Sequence, residues 1–278
     1  MIMSNKVEGY HRVLFIIIPY FIIVGIFQFI GIIFSGVEYG KLESLTPEQL
    51  LIISFSSFIG TFILLMMFMK NVDNEKFINL GFEIKNRLKD FFLGIGIGVL
   101  LICSCFLLIT MFTEITFQYN MLIFIDITIS VLSFLIISIA EEMFFRGYVL
   151  RNLLLSLNKN IALTISAISF TLLHVLNPNI DLVSLFNIFL AGILLGISYV
   201  YTKNLWFPIG LHFSWNLSQS LLGFNVSGQE AYSIIEVNIL EKNILNGGEF
   251  GLEGSIFSVV LQVICITLLF FYFKNKKI

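Results

Sequence analysis

Long apolar runs separated by short polar breaks dominate this chain, and each run approaches the length that crosses a bilayer as a helix. A spanning helix needs about 20 mostly apolar residues. Eight runs fit, at roughly residues 13–34, 50–69, 91–112, 121–140, 161–176, 184–201, 206–223 and 255–273. The first is too long for the roughly 7–15-residue apolar core of a signal peptide, and no small-x-small cleavage pattern follows it, so it is expected to remain as a membrane helix. The fifth carries Thr164, Ser166, Ser169 and Thr171, which predicts a helix buried among others more than one facing lipid.

Charge tests this division independently. If the N-terminus is cytoplasmic, all 16 basic residues except Lys41 and Lys242 fall in segments on the cytoplasmic side, including Lys6, Arg12, Lys276 and Lys277 near the ends. Cytoplasmic connections of membrane proteins carry such an excess. One helix more or fewer would scramble the pattern. The expectation is an all-α polytopic bundle of about eight transmembrane helices with both termini cytoplasmic. It forms a single membrane domain over 1–278, with core helices at 121–223. A basic linker at 70–90 and a Gly-rich acidic loop at 224–254 lie outside the bilayer. No internal repeat is visible.

Composition agrees. The 278 residues are 58% hydrophobic and 12% charged, against about 25% charged in ordinary soluble domains. The net charge of -2, with no basic tail, offers nothing to nucleic acid. The lipid bilayer is the first partner the chain implies. Cys103, Cys105 and Cys265 lie in apolar stretches without a CxxC and read as small apolar residues.

Polar residues inside membrane helices are rare and costly, so those present are the candidates for chemistry. AEEMFFRGYVLRNL holds Glu141, Glu142 and Arg146, SFTLLHVLN holds His174, and GLHFSWNLS holds His212 and Asn216. Glu142 and Arg146 stand at i,i+4 and can pair, a structural role. Glu141 points roughly 140° away from Arg146 and has no such partner. A carboxylate in that position can serve as a general base. His212 and Asn216 also share a face. The polar break Asn158-Lys159-Asn160 sets a helical hairpin with Glu141 and His174 level on its two arms, roughly 25 Å from the turn. His212 lies only about 6–8 Å into a helix that begins near Pro208. For all three to meet, the fourth helix has to be about 30 residues long, with the hairpin protruding and the site opening toward the cytoplasm. Phe170 by itself reads as packing, Asp126 as an interfacial or capping residue, and Asn187 as interhelical glue.

In order and spread, EEMFFRG, FTLLH and HFSWN resemble the EExxxR, FxxxH and HxxxN motifs of the CAAX protease and bacteriocin-processing family. The resemblance covers roughly 121–223, and continues more weakly through LLGFNVSG and GGEFGLEGS toward the bacterial branch. It implies an eight-helix intramembrane endopeptidase with a site facing the cytoplasm. Glu141 matches the water-activating glutamate, His174 its helper, and His212 with Asn216 the pair that stabilises an oxyanion. Glu142 and Arg146 fill the remaining motif positions.

Members of that family have also been described as metallopeptidases, and Glu141, His174 and His212 offer N and O ligands to Zn²⁺. Without an HExxH motif, metal-independent chemistry is the favoured expectation. The substrate class expected is a peptide or membrane protein. The competing function is a non-catalytic bacteriocin immunity or peptide-binding membrane protein. A transporter fits less well, because no matching half-repeat accompanies the polar cluster. The richness in Ile, Phe, Asn and Lys suggests an AT-rich bacterial genome, hence the cell membrane as location.

Overall fold

The computed structural model describes residues 8–38, 42 and 44–275. Lys6, Lys41, Lys276 and Lys277, used in the charge argument, lie outside the described residues. Eight helices follow one another: α1 Gly9–Ser35, α2 Pro47–Asn71, α3 Leu88–Phe112, α4 Phe124–Ser156, α5 Lys159–His174, α6 Leu182–Thr202, α7 Trp206–Leu221 and α8 Ile256–Asn275. Two strands, β1 Ile115–Tyr119 and β2 Ile235–Ile239, pair antiparallel with Ile115 opposite Ile239. They tie the α3–α4 connection to the long α7–α8 loop.

The chain is an all-α polytopic membrane protein. Among the described residues six helices are long and apolar enough to cross a bilayer: α1, α2, α3, α4, α6 and α8. The other two, α5 and α7, have 16 residues each, about 24 Å of helix against a hydrocarbon core of about 30 Å. Their roles also differ from expectation. Ile161, Ile165, Ile168 and Leu172 give α5 an exposed apolar face, while its Ser166 turns inward and donates to the Phe145 carbonyl. The enclosed helix is α7, buried continuously from Phe207 to His212. Cys103 is exposed on α3, whereas Cys105 and Cys265 are buried as expected.

What lets α7 sit inside the bundle is backbone contact with α3. A Cβ on Gly98 would lie 2.1 Å from Ser214 Oγ and 2.7 Å from the Leu211 carbonyl oxygen, and one on Gly94 would lie 2.3 Å from that of Phe207. Small residues permit such close approach between membrane helices. Gly98→Val should push α3 away from α7 at a cost of about 1–3 kcal/mol, read as earlier thermal aggregation in detergent. Gly96→Val is the control, because a Cβ there meets nothing within 4 Å.

The start of α1 and the end of α8 lie at one end of the bundle. The Gly9 amide donates to Ser156 Oγ at 2.8 Å, and the Phe273 ring packs on Tyr201 and Phe207. Charged groups consolidate this end. Arg12 and Arg151 reach Asp73 at 3.1 and 3.4 Å, and Arg151 also pairs with Glu75. Burial raises the pKa of the Asp73 carboxyl, while Arg12, Asn152 and Arg151 pull it down.

Candidate active site

The site is built on a departure from α-helical geometry. After Phe124–Glu142, the fourth helix widens into a π-helical segment, Met143–Leu150, before Arg151–Ser156 completes it. Every side chain of the π segment is buried. π turns recur at functional sites, and this one begins directly after the Glu141–Glu142 pair. The fourth helix totals 33 residues, close to the length required for the three motifs to meet.

Glu142 is fully buried, and its Oε1 accepts from Arg146 Nη1 and from His212 Nδ1, both at 2.9 Å. Arg146 Nη2 continues to the Gly192 carbonyl of α6 at 3.1 Å. The expected Glu142–Arg146 pair is therefore present, but its role is wider than pairing. It reaches across to α7 and holds a site histidine. A carboxylate oxygen that already takes an arginine proton donor can only accept, so Nδ1 of His212 carries the hydrogen and Nε2 faces Glu141.

Glu141 projects the other way, as its helical angle requires. Its side chain is 27% exposed, and its Oε2 stands 3.9 Å from His212 Nε2. That oxygen has no hydrogen-bond partner among the described residues. His174 Nδ1 donates to the Phe170 carbonyl at 2.8 Å, so its Nε2 is the free nitrogen as well. Glu141, His174, His212 and Asn216 all line one cavity of about 560 Å³. Phe170 is the wedge among them. Its ring lies 4.6 Å from the Arg146 guanidinium carbon, 4.6 Å from the His174 ring and 6.2 Å from the His212 ring.

The direction of the opening corrects the sequence expectation. From Glu141 the cavity runs to Leu42 and Leu45 between α1 and α2, and to Val226–Ala231 and Glu253 of the α7–α8 loop. That is the end opposite the start of α1. By the charge distribution it is the non-cytoplasmic end. The end that holds the start of α1 and the end of α8 is filled instead. A 3₁₀ turn, Phe77–Leu80, tucks beneath the π segment, where Tyr199 Oη donates to the Leu80 carbonyl at 2.9 Å and the Leu205 amide to the Gly81 carbonyl at 2.9 Å. The hairpin tip at residues 158–160 is exposed, as expected, and the start of α1 docks beside it through the Gly9 amide on Ser156 Oγ. Helical rise along one hairpin supplies a height. It does not say which end neighbouring segments will plug.

Three cavity residues escaped the reading of the motifs. Tyr20 and Gln28 on α1 line the wall, with the Tyr20 ring stacked 3.8 Å from Phe144. Their signal was available, as polar interruptions in an apolar run. Glu253, in GLEGS, accepts from Trp215 Nε1 at 3.1 Å and from the Ser227 amide and hydroxyl at 2.8 and 3.1 Å. It ties the rim loop to the residue beside Asn216. Glu253→Ala should cost about 1.5–3 kcal/mol and expose the 226–231 loop to limited proteolysis. The bland readings for two others fit the geometry. Asn187 bridges α6 to the Glu253 and Ser255 carbonyls and to Gln262, and Asp126 occupies the first turn of α4, where a negative charge suits the helix dipole.

Among the described residues no three His, Cys, Asp or Glu are grouped to hold a metal. Glu141, His174 and His212 share the cavity without forming such a set.

Fold and cavity together define a class: a polytopic α-helical membrane protein with a carboxylate, two histidines and an asparagine converging inside the bundle. Residues 122–218 match the family model described as Rce1-like, type II CAAX prenyl endopeptidase Rce1-like. The three motifs that resemble the CAAX protease family lie within the matched segment. The first three helices and the 224–254 loop lie outside the match. No curated protein and no solved structure matches the chain.

Proposed function

We propose that the chain is an intramembrane endopeptidase of the CAAX protease type, of the bacterial branch and the cell membrane, that hydrolyses a membrane-associated peptide or protein with a water activated by Glu141. The observation that carries this reading is the pairing of an unpartnered Glu141 carboxylate oxygen with the free Nε2 of His212, 3.9 Å away on the cavity wall. One water can bond to both groups at that separation. Glu141 takes a proton from it, and the water oxygen attacks the scissile carbonyl carbon. Asn216 donates an amide hydrogen to the developing oxyanion. His212 becomes a second donor there only when its Nε2 is protonated, and the Glu142 carboxylate on Nδ1 stabilises that charged ring. Collapse of the intermediate breaks the C–N bond, and Glu141 or His174 returns the proton to the leaving amine. The reaction leaves one new carboxylate and one new amine.

The proposed mechanism is independent of metal. The test is cleavage of an apolar peptide library by the purified full chain in detergent, with and without excess chelator. Cleavage at one bond type, unchanged by the chelator, is the expected result. A folded protein that binds peptides without cutting them would overturn the reading in favour of an immunity or peptide-binding protein. Loss of cleavage with chelator, restored by Zn²⁺, would overturn the metal-independent mechanism.

A further inference from the structure

We infer that the substrate reaches Glu141 from the non-cytoplasmic face of the membrane, as an extended apolar segment of a peptide or protein already exposed on that side. The inference rests on the endopeptidase reading for what happens to the segment. The direction of approach stands on the structure and the charge pattern by themselves.

Three observations converge on it. The cavity is continuous from Glu141 to Leu45 at the start of α2 and to Gln229 and Glu230 on the rim loop, all at the end away from the start of α1. The opposite end is sealed, with Met143–Leu150 wholly buried and Leu80, Leu205 and Tyr199 packed with no exposed surface. Among the described residues every Lys and Arg except Lys242 lies toward the sealed end, which positive-inside orientation assigns to the cytoplasm. A cytosolic chain would have to cross the packed π segment to meet Glu141.

The walls state what kind of segment fits. Phe21, Val24, Ile53, Ile137 and Leu173 flank the route to the polar floor, and no Lys or Arg lines the cavity among the described residues. An anionic side chain beside the scissile bond would be desolvated there without a counter-ion, since the charged residues lining the cavity are Glu141, Glu230 and Glu253. The rim is not slack, because Glu253 anchors Ser227 and Trp215 together.

Two measurements test the inference. In the full chain with Cys103, Cys105 and Cys265 replaced by Ala, a single cysteine is introduced at exposed Gln229 or at exposed Lys76 (Gln229→Cys, Lys76→Cys) and cells are treated with a membrane-impermeant maleimide. Gln229→Cys should label in intact cells, and Lys76→Cys only after permeabilisation. The reverse pattern overturns the inference. The second measurement uses the wild-type chain in right-side-out and inside-out membrane vesicles, with an apolar reporter peptide bearing a membrane-impermeant sulfonated dye. Cleavage should be at least about tenfold faster in right-side-out vesicles, and Asp beside the scissile bond should lower it about tenfold or more, the factor for roughly 1.4 kcal/mol. Faster cleavage in inside-out vesicles overturns the inference. Cleavage in neither, with Gln229→Cys labelled from outside, overturns the enzymatic reading and the substrate clause but leaves the direction of the opening standing.

Discussion

Glu141→Gln should abolish most peptide cleavage while leaving the bundle folded. The side chain is nearly isosteric, and Glu141 Oε2 makes no hydrogen bond among the described residues, so the fold loses little. What is lost is the base. Positioned proton transfer contributes about 10²–10⁴ in rate, so kcat should fall by that range with KM little changed. Thermal melting in detergent should stay within about 0.5 kcal/mol of wild type, as for substitutions that break no packed contact. Retention of full activity by a folded Glu141→Gln protein would remove Glu141 from the mechanism.

Arg146→Met should do the opposite and unfold the protein before any question of rate arises. Arg146 is 1% exposed and Glu142 fully buried, and removing one partner of a buried pair leaves an uncompensated charge costing about 3–5 kcal/mol. Arg146 also donates to the Gly192 carbonyl and lies over Phe170, so α6 and α5 lose contacts too. The double variant Glu142→Leu with Arg146→Met separates structure from positioning. Replacing both members of a buried pair by apolar residues is often near neutral for stability. Melting should therefore recover, while cleavage stays low because His212 has lost the carboxylate on its Nδ1. Recovery of activity along with stability would reduce Glu142 to a structural residue.

These two substitutions show how the adjacent glutamates divide. One faces the cavity, and the other organises what surrounds it. The i,i+4 rule identified Arg146 as the partner of Glu142, and the same angle left Glu141 alone. It could not reveal that His212, 70 residues away in the chain, takes the same Glu142 oxygen. Nor did the motif spacing reveal the π segment, because eight buried residues in a row read like any apolar helix. Glu253 was hidden for another reason. It lies in a Gly-rich loop whose path is set by contacts with Trp215 and Ser227, not by a period in the sequence.

The sequence by itself determined the membrane class, the order of the eight helices with their bounds to within a few residues except for the fourth, which runs on to Ser156, and the polar side chains that share a cavity. Those follow from local physics: apolar length against bilayer thickness, charge against the cytoplasmic face, and helical angle between neighbours. Only the tertiary structure decided that α7 is the enclosed helix, that Glu142 holds His212, and that the cavity opens away from the start of α1. Each of these depends on which segments fill which space. The glycines of α3 let α7 in, and the Phe77–Leu80 turn closes the end opposite the cavity mouth. No single helix records in its own pattern what another helix will leave open.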